Sequence, residues 1–155
     1  MKIILMMTML FAALAIFVGT ARADEHSGTW KMNPAKSKHS SGPGLQNLTE
    51  TVVLDENHYK VDANGTAADG KPVHIEFNAK FDGEDYPMVG VSWADTVSVK
   101  WVDGHTPQMI QKKNGQVTRI ITCTVSKDGK TRTCTLKGKG EQGRDVNDVV
   151  VFDRQ

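Results

Sequence analysis

From Pro72 to Phe81 the chain alternates without a break. Val73, Ile75, Phe77, Ala79 and Phe81 fall on one face, and His74, Glu76, Asn78 and Lys80 on the other. A period of two sustained this long predicts a strand with one face in a core and one in water. The run from Thr96 to Val102 repeats it, with Val97, Val99 and Trp101 inward and Thr96, Ser98 and Lys100 outward. Leu48, Val52 and Leu54 share a face, as do Tyr59, Val61 and Ala63. Further strands are expected at Gly28–Asn33, Gln108–Lys112, Val117–Ser126, Thr131–Lys137 and Val146–Asp153. Between them stand turn dipeptides such as Asp69-Gly70, Asp82-Gly83, Asp103-Gly104, Asn114-Gly115 and Asp128-Gly129, which accept the positive φ of tight hairpins. Residues 33–44 carry no strand pattern and predict a long loop crossing one barrel end, and Tyr86–Ala94 a connection. Short strands in sequential hairpins predict an all-β, antiparallel up-and-down barrel of about eight to ten strands. Closure removes exposed edges.

The N-terminus breaks this pattern. Ile3 to Val18 are apolar apart from Thr8, follow Met1-Lys2, and lead into Ala21-Arg22-Ala23. These are the parts of a secretory signal peptide, with cleavage expected after Ala23. An uncleaved anchor is the alternative, but the apolar run is short for a membrane span and polar Asp24-Glu25-His26 follows. The expectation is a periplasmic or secreted protein without a stable membrane anchor, its single barrel domain running from residue 24 to 155.

The chain has 19 basic and 18 acidic residues. Loss of Lys2 and Arg22 with the leader keeps the remainder near neutral, which argues against nucleic acid as a partner. The two cysteines, Cys123 and Cys134, would meet an oxidising compartment, where a disulfide is the default. Their geometry depends on the turn between them. A two-residue loop at Asp128-Gly129 sets them directly opposite each other. A three-residue loop beginning at Lys127 turns them to opposite faces and forbids the bond.

Gly28-Thr29-Trp30 resembles the Gly-x-Trp signature in the first strand of lipocalins and fatty-acid-binding proteins, the calycin barrels. The resemblance implies that Trp30 lies across the closed end of the barrel against an arginine from near the chain's end, here Arg154. A closer likeness is to small exported bacterial proteins described as lipocalin-like. It is carried by Gly28 to Lys38, Asp69-Gly70-Lys71-Pro72-Val73, Lys80 to Pro87, Ala94 to Ser98 and Ser126 to Thr131. That likeness implies a fold and an address, and no activity. The cysteines and Trp93 lie outside its pattern.

Little in the chain suggests catalysis. His26, His39, His58, His74 and His105 show no metal-ligand spacing and are expected on the surface, and no cofactor is called for. Gly138-x-Gly140-x-x-Gly143 does not open a helix and is expected to be a loop between strands. Glu50 is the position that asks for an explanation. It shares the inward face of Leu48 and Val52, where a carboxylate must be paired, hydrated or neutral, unless a bulge turns it outward. Arg119 poses the same question beside Ile121, and the two could pair. Trp93, near Met88, is expected at the mouth or edge of the barrel, either as an apolar contact or packed over the barrel end.

The expected function is therefore not enzymatic. It is the binding of a small apolar or amphipathic ligand inside the barrel, with Glu50, Tyr59, Phe77, Trp93, Trp101 and Arg119 as candidate contacts. The alternative is a barrel filled by its own side chains, whose loops engage a protein partner as an interaction or inhibitor module.

Overall fold

The computed structural model describes residues 25–40, 44–139 and 143–155. The expected signal peptide lies outside them, as do parts of the 33–44 loop and of the glycine-rich 138–143 segment. Ten strands are formed: β1 Gly28–Met32, β2 Asn47–Leu54, β3 His58–Thr66, β4 Pro72–Lys80, β5 Tyr86–Val89, β6 Thr96–Trp101, β7 Pro107–Lys113, β8 Gln116–Val125, β9 Thr131–Lys139 and β10 Asp145–Arg154. Each pairs with the next, antiparallel, and β10 returns to β1, so the sheet closes into a barrel. The alternation read from the sequence is the alternation of burial: β2 runs exposed–buried from Asn47 to Leu54, and Ile75, Phe77 and Ala79 of β4 are buried.

One strand departs from expectation. Tyr86–Val89 is β5 rather than a connection. It meets β4 only at Glu76↔Val89 and Phe77↔Met88, and β6 only at Tyr86↔Val97 and Pro87↔Thr96. So short a strand has no legible period, and Pro87 cannot donate to a ladder. Gly90 ends it with a φ of 93°, and a Cβ there would lie 1.7 Å from the His74 carbonyl oxygen of β4. Only glycine allows that approach.

The loop after β1 first follows β10 before it reaches the barrel end. The Asn33 amide donates to the Val151 carbonyl (2.7 Å), and Lys38 bridges to Val149. Beyond it His39, Gly44 and Leu45 border the interior.

The opposite end is closed by a plug. Trp30 is fully buried, and the Arg154 guanidinium lies 4.1 Å from the centroid of its ring. Arg154 also donates to the carbonyls of Gly129 (2.6 Å), Ser27 (2.7 Å) and Glu25 (2.6 Å), tying the last strand to the β8–β9 turn and the N-terminal segment. The Gly-x-Trp spacing has a physical reason here. Gly28 has a φ of 136°, and a Cβ on it would come within 2.6 Å of Arg154 Nη1. Phe81 and Trp101 stack beside this plug with ring centroids 4.5 Å apart.

His26 belongs to the plug and not to the surface where a histidine was expected. It is fully buried, its backbone carbonyl accepts from Trp30 Nε1 (2.8 Å), and its Nε2 lies 3.0 Å from the His105 carbonyl. Burial lowers its pKa to about 4. Among the described residues Nδ1 has no hydrogen-bond partner, so a proton there would go unanswered. The unfolded chain takes up this proton near pH 6.5 and the folded one only near 4, so the neutral imidazole stabilises the fold above pH 6.5. That contribution is lost as pH falls through the window between the two values, by up to about 3 kcal/mol. Urea unfolding at pH 7.5 and pH 4.5 measures it: His26→Gln should lose less stability on acidification than the unchanged protein. An equal loss in both would contradict the assignment.

Candidate functional site

The barrel is hollow at the end opposite the plug. A cavity of about 560 Å³ runs down from a mouth edged by the β1–β2, β3–β4 and β5–β6 loops, represented by Leu45, Ala68 and Trp93. Its walls are mostly apolar, with Val61, Ile75, Phe77, Met88, Met109 and Ile121 facing inward.

Its deep end carries charge. The β2–β3 register passes through Glu50↔Ala63 without interruption, so no bulge turns Glu50 outward and its side chain is buried. Its partner is Arg132 of β9, not Arg119: Arg132 Nη1 donates to Glu50 Oε1, and Nη2 donates to the Tyr59 hydroxyl. Burial pushes the Glu50 carboxyl up, and the neighbouring guanidinium pulls against it. A guanidinium does not give up its proton, and a neutral Glu50 would leave Arg132 buried without a counter-charge. The arrangement is therefore an ion pair that Tyr59 completes. Burial pushes the Tyr59 hydroxyl up to about 12, so it remains a phenol.

Beside the pair, Cys123 and Cys134 form a disulfide. The loop between β8 and β9 spans residues 127–130, because the Ser126 amide donates to the Thr131 carbonyl (2.8 Å) and the Ser126 hydroxyl bonds Asp128 and the Thr131 amide. Four loop residues give the same pairing parity as two. Cys123 thus stands opposite Cys134 at a Cα separation of 4.1 Å, the close spacing of a non-hydrogen-bonded pair. The Cys123 sulfur lies 3.4 Å from Arg132 Nη2.

Nearer the mouth, the Arg119 guanidinium sits 3.9 Å from the centroid of the half-buried Trp93 ring. Trp93 Nε1 donates to the side-chain oxygen of Gln111 (3.0 Å), which is itself buried. Arg119 keeps its inward phase because the irregularity in the β7–β8 ladder falls beyond it, after the Gln111↔Arg119 pair.

Of the residues singled out from the sequence, Glu50, Tyr59, Phe77, Trp93 and Arg119 border the cavity. Trp101 does not. It sits at the closed end on Phe81, because β6 reaches the plug there and the Phe81 ring fills the space between Trp101 and Tyr59. Arg132 and Gln111 were not foreseen. Arg132 shares its face with Cys134 in the alternation of Thr131 to Leu136, so a placed disulfide would have revealed it.

No family model matches the chain, and no curated protein sequence matches it. Solved structures do. Lipid binding protein 8 of Caenorhabditis elegans, in its apo form, aligns with a TM-score of 0.55 at 15% identity, over 85% of this chain and 96% of that one. The ileal bile acid-binding protein of zebrafish, complexed with cholic acid, aligns with a TM-score of 0.50 at 14% identity, over 84% and 99%. At such identities the likeness establishes the ten-stranded closed barrel.

Proposed function

We propose that this protein is a carrier that holds one small apolar or amphipathic molecule inside its barrel. The observation behind this is the cavity of about 560 Å³, apolar along its walls and open at one end, while the other end is sealed by Trp30 and Arg154. Pockets of this size and lining suit small organic ligands. A barrel filled by its own side chains would leave no such space, so the protein-interaction alternative has less support. The two barrels of like fold add weight, since one is a lipid binding protein and the other was solved with cholic acid. The carrier is proposed to act outside the cytoplasm, periplasmic or secreted. The disulfide supports that address, because such bonds persist in oxidising compartments.

Titration with the neutral fluorophore N-phenyl-1-naphthylamine tests the proposal. The protein should enhance its emission saturably at one site. Ala63→Phe places a ring in the cavity from a buried wall position and should abolish the enhancement while the barrel's circular dichroism is kept. Enhancement that survives Ala63→Phe would place the probe on the outside and contradict the proposal.

A further inference from the structure

We infer that the ligand enters with a neutral hydrogen-bond donor leading, a hydroxyl or an amide N–H, and seats it on Glu50 at the floor of the cavity. The inference rests on the carrier reading and adds the ligand's class and orientation to it. Glu50, Tyr59 and Arg132 meet at the floor, but they do not face the cavity equally. Tyr59 and Arg132 are 0% and 1% exposed, whereas Glu50 keeps 8% of its surface and borders the cavity. Oε1 of Glu50 accepts from Arg132 Nη1. Among the described residues no donor reaches Oε2, and that oxygen is not one of the enclosed polar atoms. The surface that Glu50 keeps inside the barrel therefore includes an acceptor with capacity to spare.

The charge beside this acceptor decides which donor it takes. Arg132 already neutralises Glu50, and its guanidinium also bonds Tyr59 and lies 3.4 Å from the Cys123 sulfur. An ammonium head would meet attraction from Glu50 and repulsion from Arg132 at once, with little left to offset its own desolvation. A carboxylate head would be set against a floor whose exposed charge has its own sign. An alkyl end would cover Oε2 and leave a charged oxygen without a donor in place of water. A hydroxyl satisfies that oxygen and brings no charge. Val61, Phe77 and Met109, which border the same cavity, suit the apolar remainder of the molecule.

The test measures displacement of N-phenyl-1-naphthylamine by 1-dodecanol, by its isomer 1-methoxyundecane, which accepts a hydrogen bond but cannot donate one, and by dodecanoate. Dodecanol should bind about tenfold more tightly than either of the others. In Glu50→Gln the side-chain oxygen should stay with Arg132 while the amide turns a donor toward the cavity, so the ratio of alcohol to ether affinity should fall to one or below. Glu50→Met combined with Arg132→Met removes the acceptor and keeps the floor uncharged, and should also bring the ratio to one. An ether or a carboxylate that binds the unchanged protein as tightly as dodecanol overturns the inference, and that result requires no variant to fold. A ratio that persists in whichever variant folds overturns it as well. Both results leave the carrier reading intact, whereas failure of the probe and of all three amphiphiles to bind overturns the carrier reading and the inference together.

Discussion

Arg132→Met should destabilise the barrel by about 3–5 kcal/mol, because it leaves the buried Glu50 carboxylate without its counter-charge. The damage comes from the orphaned partner more than from the lost attraction. Two charges taken from water repay their desolvation only while they remain paired. Glu50→Met combined with Arg132→Met should therefore recover most of the loss, because the pair is replaced by two side chains that suit the apolar wall. Urea unfolding midpoints and slopes for both single variants and the double one measure this coupling. If the double variant is as unstable as the sum of the singles, the two residues act independently and the ion pair is not what holds the deep end together.

The second large effect belongs to the plug. Trp30→Ala removes the largest fully buried side chain, and large-to-small changes at such sites cost about 3–5 kcal/mol. The loss here goes beyond packing. The His26 carbonyl loses the indole donor, and Arg154 loses the ring face that its guanidinium covers. Trp30→Phe keeps the ring and should lie between the two. Thermal and urea unfolding of the three proteins gives that order. A Trp30→Ala protein as stable as the unchanged one would mean the end is closed by Phe81 and Trp101 instead.

The barrel was legible because its residues repeat with a period of two wherever one face meets the core, as in Val73 to Phe81. The hairpin dipeptides set the order of strands, and a sequential meander leaves few ways to close. β5 was not legible: a strand that pairs through two residues on each side gives no period, and Pro87 reads as a break. The site was legible by face and not by depth. Glu50 and Arg119 were placed inward by alternation, but which inward charge meets which depends on strand stagger around the closed barrel. That stagger brings Arg132 to Glu50 across the interior and leaves Arg119 to Trp93. Trp101 shows the same limit from the other side. Its phase along β6 is inward, yet its height along the barrel axis puts it against Phe81 at the sealed end. His26 was misplaced because a histidine three residues into a polar segment carries no pattern; the Trp30 indole and the His105 carbonyl hold it inside.

The measurement closest to the central claim is a methyl-resolved NMR titration with N-phenyl-1-naphthylamine. Saturable shifts at Met88, Met109, Ile121 and Val150, which border the cavity from four different strands, are the expected result. Shifts confined to outward methyl groups such as those of Val53, Val117 and Ile120, with the interior unmoved, would contradict a ligand-holding barrel.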